Sequence, residues 1–151
     1  MNKKGFTLVE LLAVIALVAI LSGIAVPNIL STINNSKKSA FLMDAKRMVA
    51  KAEYLISLNK ADRQEIDLNG SKTYTFANLN EKGEFQKDAD DGSFDASTFV
   101  KVKKNSSSYV YCICVKGSRR TIGTGGNCNS SNGSGCIESK YLTGIDKVLD
   151  N

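Results

Sequence analysis

The stretch that decides the fold is residues 3–27, KKGFTLVELLAVIALVAILSGIAVP. Two lysines open it, and from Phe6 to Val26 it holds a single charged side chain, Glu10. About twenty residues at a helical rise of about 1.5 Å cover about 30 Å, the thickness of a bilayer's hydrocarbon core. The two lysines would hold the leader in the cytoplasm and place everything after the span outside. The stretch therefore predicts a transmembrane helix.

Glu10 breaks the apolar pattern of this helix. An ionised side chain at the centre of a bilayer costs roughly 2 to 3 kcal/mol or more, so the carboxylate needs a partner. No Lys or Arg lies between Gly5 and Lys37, and the nearby cation that chemistry can supply is a free α-amino group at Phe6. Cutting after Gly5 would create this amine. It would lie about one helical turn from Glu10, or come from a neighbouring staggered helix.

The segment KKGFTLVELLAVIALVAIL, closed by Pro27, resembles the N-terminus of the type IV pilins and their pseudopilin relatives. It joins a basic leader, a Gly before an aromatic residue, a Thr, a Glu and an apolar tract that ends near Gly and Pro. The resemblance implies that a prepilin peptidase cuts between Gly5 and Phe6 and methylates the new Phe6 amine. It also implies that Phe6, Thr7 and Glu10 act in assembly, with Glu10 paired to a Phe6 amine.

The resemblance further implies a structural subunit of an extracellular type IV pilus, serving adhesion, twitching motility or biofilm formation. The alternative is a pseudopilin of a type II secretion or DNA-uptake (competence) system. Expected partners are copies of the same chain in a helical filament, the prepilin peptidase and assembly machinery, and the membrane before assembly. A host surface or DNA is a further candidate partner. The precursor would lie in the inner (cytoplasmic) membrane with its N-terminus in the cytoplasm, and the assembled chain on the cell surface.

Enzymatic activity is not expected from this composition. The 151 residues include no histidine, the commonest general base, and offer no convincing set of acid, base and nucleophile. The net charge of +5 is a modest basic excess without a dense Lys/Arg stripe, which does not favour specific nucleic-acid binding. We predict no cofactor and no metal.

Three other interpretations of the apolar segment compete with a pilin. A secretory signal peptide would use the small residues Gly23 and Ala25 as a cleavage site and give a mature chain beginning at Val26. A single-span anchor without an assembly role leaves Glu10 without a counter-charge. A buried core helix is disfavoured, because so small a domain cannot cover this segment on all sides.

The helical pattern continues beyond Pro27 as an amphipathic helix that ends near Asn59. The weakest stretch runs from Gly23 to Pro27, because Pro27 removes a backbone hydrogen bond and glycine is a poor helix former. This stretch is either a hinge that melts during assembly or simply the membrane exit. The apolar residues that recur at steps of three and four are Phe41, Ala45, Met48, Ala52, Leu55 and Ile56.

The remaining chain predicts a small antiparallel sheet packed on the amphipathic helix, an α+β fold. The strongest signal is a hairpin of Thr98–Lys103 and Tyr109–Val115, with its turn at Asn105–Ser108. KADRQEIDLNGSK, residues 60–72, reads as a polar connector, and Tyr74–Leu79 as a candidate strand. The predicted divisions are a leader (1–5), a transmembrane and assembly half-helix (6–27), an amphipathic half-helix (28–59), and a globular β head with a cysteine-rich C-terminal loop (60–151).

Four cysteines lie in the last forty residues: Cys112, Cys114, Cys128 and Cys136. Their external placement permits disulfides, and many pilins carry a C-terminal loop closed by one. Cys112 and Cys114 point to the same face of one predicted strand, so a bond between them would strain the backbone. Two pairings stay open: Cys112–Cys128 with Cys114–Cys136, or the alternative in which the partners are exchanged. A zinc site lacks the C-x2-C spacing, and free thiols would require a reducing habitat.

An acidic cluster of Asp88, Asp90 and Asp91, followed by Gly92, suggests a calcium loop. The segment lacks the Glu that an EF-hand loop requires at its last position. We therefore expect a solvated acidic turn.

Overall fold

The computed structural model describes residues 7–151, apart from the side chains of residues 24–27. These residues form an α+β fold in which a long N-terminal helix precedes a small antiparallel sheet, as predicted. The helices are α1 (Leu8–Leu58), α2 (Lys60–Asn69) and α3 (Phe76–Leu79). The strands are β1 (Ser71–Thr75), β2 (Phe99–Asn105), β3 (Ser108–Lys116), β4 (Arg120–Ile122), β5 (Ile137–Glu138) and β6 (Leu149–Asp150).

The chain divides into two compact units between Ser36 and Lys37, so α1 contributes to both. Among the described residues, no single helix is both long and apolar enough to cross a membrane. Two segments of α1 that form a bent pair, Leu8–Gly23 and Asn28–Leu58, are long and apolar enough to do so when they are taken together.

The second unit, Lys37–Asn151, has its core on one face of α1. Residues three or four apart fall on one side of a helix, and here that side is apolar. The charged residues Lys46, Arg47 and Glu53 lie on the exposed side. This burial agrees with the apolar period predicted from Phe41 to Ile56, and α1 ends at Leu58, one residue before the predicted end. The buried α1 residues are Phe41, Leu42, Ala45, Met48, Val49, Ala52 and Ile56.

The sheet is antiparallel, with strand order β1-β2-β3-β4-β6 and with β5 paired to β3. Side chains alternate between the two faces of a strand, and on the core face Val100 and Val102 of β2 are fully buried with Ile113 and Val115 of β3. The predicted hairpin is confirmed, since Phe99 pairs with Cys114 and Asn105 closes the ladder against Ser108.

Two local predictions were wrong. The supposed polar connector contains α2, which Asn59 caps through a 3.0 Å bond from the Ala61 backbone N–H. Gly70, at φ 73°, ends this helix, and Ile66 is its one buried side chain. A single buried residue in ten gives no apolar period, so the pattern looked like a loop.

The candidate strand Tyr74–Leu79 is a strand only as far as Thr75. The backbone N–H and the hydroxyl of Thr75 both donate to Asn78 Oδ1, at 3.1 and 2.8 Å. These side-chain bonds favour a helical turn, and α3 begins at Phe76.

Candidate functional site

Within the part of the chain that the structure describes, no layer covers α1 from Leu8 to Gly23. Every residue from Thr7 to Gly23 is exposed, including the large apolar ones on all sides of the helix. A helix that is apolar all round needs an apolar environment on every side. The hydroxyl of Ser22 donates to the Val18 carbonyl at 2.7 Å, so this polar group finds its partner inside the helix and does not oppose burial.

Glu10 and Thr7 form a capping box at the start of α1. The backbone N–H and the hydroxyl of Thr7 both donate to Glu10 Oε2 at 2.9 Å, and the Glu10 N–H donates to Thr7 Oγ1 at 3.3 Å. A Thr followed three residues later by Glu satisfies backbone donors that the first helical turn leaves unpaired. The carboxylate therefore has a local structural role in addition to its charge. The Thr-x-x-Glu spacing of residues 7–10 could have predicted this capping box, but the sequence-based prediction did not include it.

The predicted processing residues Gly5 and Phe6 lie outside the described residues, so cleavage, methylation and the pairing of Glu10 with a Phe6 amine stay predictions. Among residues 7–151 no Lys or Arg forms an ion pair with Glu10. The hinge prediction also stays open. Among the described residues, nothing beyond the adjacent backbone of α1 lies within 4 Å of a Cβ placed on Gly23, and the side chain of Pro27 is outside the described set.

The four cysteines form two nested disulfides, Cys112–Cys136 and Cys114–Cys128. This is the second of the two pairings that the sequence left open. Because both bonds start from β3 and end in the Gly/Ser/Asn-rich segment, they fasten that segment to the sheet. Each closed loop contributes about 2 to 4 kcal/mol in the chain-entropy model.

The acidic segment 88–92 is not the solvated turn that the sequence suggested. Asp88 is 6% exposed. Its Oδ1 accepts the backbone N–H groups of Asp90 and Gly92 at 2.9 Å, and its Oδ2 accepts the N–H and hydroxyl of Ser118 at 2.6 Å. Burial raises the pKa of the Asp88 carboxyl, but these donors outweigh it and hold the pKa below its usual range. Of the three acidic residues, Asp91 is the solvated one.

An ion-pair network built on the buried Arg120–Asp90 pair, here called the Arg120 cluster, also involves α1 and β6. The Arg120 Nε and Nη2 atoms donate to the two Asp90 carboxylate oxygens at 2.6 and 3.2 Å, and Nη1 donates to Asp150 Oδ1 at 3.0 Å. Lys37 Nζ lies 3.3 Å from Asp90 Oδ1, and Lys38 Nζ lies 2.8 Å from Asp150 Oδ2. The Arg120 guanidinium lowers the pKa of the Asp90 carboxyl.

Comparison with known proteins identifies a family motif at the N-terminus of the chain. A family model described as a prokaryotic N-terminal methylation motif matches residues 1–26. The type IV wide pilus major component PilA4 of Thermus thermophilus is 49% identical to this chain over 47 residues. The resemblance to type IV pilins is confirmed. The match covers 29% of this chain and 36% of that pilin, so it spans about a third of the relative's length. No solved structure matches the chain.

Proposed function

We propose that the chain is a non-enzymatic structural subunit of a type IV pilus. In this proposal the precursor is held in the cytoplasmic membrane by α1 with the head outside. The prepilin peptidase cuts between Gly5 and Phe6 and methylates the Phe6 amine. The assembly machinery then moves the subunit into a helical filament on the cell surface. Adhesion, twitching motility or biofilm formation would be the roles of that filament.

One observation carries the proposal: α1 exposes an apolar surface on all sides from Leu8 to Gly23. Removing apolar area from water stabilises by about 25 cal/mol per Å2, which makes an uncovered helix of this kind unstable in water. A bilayer covers it before assembly, and neighbouring copies of the same helix cover it afterwards. Because lipid is apolar too, the gain on moving from membrane to filament is smaller and comes from packing and polar pairing between helices.

Glu10 supplies the polar pairing in this proposal. A filament core made of staggered apolar helices is a low-dielectric environment, in which an unpaired carboxylate is costly. The methylated Phe6 amine would provide the counter-charge from the same chain or from the next one. The capping box leaves a competing explanation, in which Glu10 matters because it orders the first turn of α1.

The two explanations are separable by substitution at Glu10 and Thr7. Glu10→Gln keeps an amide oxygen that accepts from Thr7, since Gln also serves in a capping box, but it removes the charge. Thr7→Val keeps the charge and removes the cap hydroxyl. We expect Glu10→Gln to abolish surface pili while the chain still accumulates in the membrane, and Thr7→Val to reduce assembly only in part. Pilus yield is measured by shearing and electron microscopy. Normal piliation by Glu10→Gln would overturn the charge-pairing role.

The mature N-terminus tests processing directly. Intact-mass and N-terminal analysis of protein sheared from cells should give a chain that begins at Phe6 and carries one added methyl group. A mature chain that begins at Val26 would instead support the signal-peptide interpretation. Long surface fibres seen by electron microscopy distinguish a pilus from a pseudopilus, and the relative, named as the major component of a wide pilus, favours the pilus.

A further inference from the structure

An open pocket of about 500 Å3 lies in the head, where the end of α1 meets α2, β1 and α3. Its volume falls within the range of about 300 to 1,000 Å3 that is usual for small-molecule sites. Leu55 and Ala77 supply accessible apolar surface to it, and the side chain of Tyr74 is buried behind them. Neither the pilin motif nor the predicted assembly residues lie in it.

Two amide side chains enter this pocket in fixed orientations. The Oδ1 atom of Asn59 accepts the Ala61 backbone N–H at 3.0 Å, and that of Asn78 accepts the Thr75 backbone N–H at 3.1 Å. A backbone N–H can only donate, so in both residues the oxygen must face the backbone and the NH2 group must be the outer end. Within residues 7–151, neither NH2 group donates to a protein acceptor. The pocket thus presents two oriented donors.

Acceptors lie beside these donors. Asp62 accepts the Tyr74 hydroxyl on Oδ2 at 2.8 Å and pairs with Lys72 Nζ through Oδ1 at 2.9 Å. Each carboxylate oxygen has two acceptor positions, so Asp62 keeps one free on each. Glu81 adds a second carboxylate to the lining. Lys72 also pairs with Glu65 at 2.5 Å, so Asp62, Glu65 and Glu81 against one lysine leave this site with an excess of two negative charges.

We propose that this pocket binds a saccharide, and that it selects neutral or amino sugars over acidic ones. Sugar hydroxyls donate and accept hydrogen bonds at once, and the lining contains both amide donors and carboxylate acceptors. The apolar wall accommodates the C–H face of a sugar ring. The excess negative charge repels sialic and uronic acids and attracts a protonated amine. Every lining residue belongs to the unit Lys37–Asn151, so the proposal can be tested on the unassembled chain.

The test uses the full chain in micelles of a detergent without a sugar headgroup, since alkyl glycosides would compete. Saturation-transfer NMR is run against neutral, amino and acidic oligosaccharides, followed by titration of those that bind. Ala77→Trp places an indole in the pocket from an exposed position, and Ala96→Trp is its control at an exposed alanine outside the lining. Asn59→Ser keeps a good helix cap and deletes the NH2 donor. Asn129→Ser is its control, because Asn129 Oδ1 also accepts a backbone N–H but lies outside the pocket.

We expect the wild-type chain to bind one or more neutral or amino sugars. Ala77→Trp should weaken binding by more than about tenfold and Asn59→Ser by about fivefold, the loss of one hydrogen bond. The affinity of both controls should stay within about twofold of that of the wild type. The thermal midpoints of all four variants should stay close to the wild-type midpoint. The absence of binding by any sugar, binding of acidic sugars alone, or unchanged affinity in Ala77→Trp would overturn the proposal. Unchanged affinity in Asn59→Ser would contradict the donor role of that amide.

Discussion

Neutralising Asp90 should destabilise the head far more than the same change at Asp91, one residue later. The Asp90 side chain is 5% exposed and takes two bonds from Arg120, whose own side chain is 6% exposed. Breaking a buried pair from one side costs about 3 to 5 kcal/mol, because the other charge is left buried. Asp150 still accepts from Arg120 and is half exposed, which moderates the loss. We therefore expect Asp90→Asn to cost about 3 kcal/mol, the lower end of that range.

Asp91→Asn is the matched control. The Asp91 side chain is 87% exposed, and its ion pair with Lys87 is long, at 3.6 Å. Such a pair contributes about 0.5 kcal/mol or less. Thermal unfolding followed by circular dichroism, with the disulfides intact, should show the midpoint of Asp90→Asn lower by about 10 to 20 °C and that of Asp91→Asn almost unchanged. Midpoints that agree within about 2 °C would refute the structural role assigned to Asp90.

The same pair of variants predicts a pH dependence. The folded-state pKa of Asp90 is lowered by Arg120, so its contribution is fully present above the unfolded pKa of about 3.9 and is lost as the pH falls through the folded value. Urea midpoints should therefore differ most between wild type and Asp90→Asn near neutral pH, and the difference should shrink below about pH 4. A difference that grows in acid would contradict the lowered pKa of Asp90.

Two further predictions concern the disulfides and the helix cap. In the double variant Cys112→Ser/Cys136→Ser, Cys114 and Cys128 still pair, so iodoacetamide should alkylate no thiol without reduction. The double variant Cys112→Ser/Cys128→Ser breaks both disulfides and should leave two thiols that react. Intact mass distinguishes these outcomes, and free thiols in the first variant would point to the other pairing. At the start of α1, Thr7→Ser should assemble like wild type, whereas Thr7→Val should lower pilus yield, since losing an N-cap costs about 1 kcal/mol. Equal yields of sheared pili from both Thr7 variants would argue against the capping role.

Much of the fold was predictable because its signals are local. The amphipathic half of α1 repeats its apolar residues at helical spacing, and the β2–β3 hairpin alternates around a polar turn. By contrast, α2 has one buried residue, Ile66, and α3 is a single turn set by Thr75 and Asn78. Short elements with few apolar positions carry too little periodicity to be recognised, although their caps could have revealed both.

The sequence by itself determined the apolar segment, its lone carboxylate and the pilin motif of residues 1–26, because these depend on composition and on spacing along one helix. Only the tertiary structure decided which cysteines pair and that Asp88 and Asp90 are buried. The partners of these two acids, Ser118 and Arg120, lie 30 residues further along the chain. A carboxylate's environment is set by whatever folds against it, and nothing in the local sequence DADDG specifies that distant neighbour.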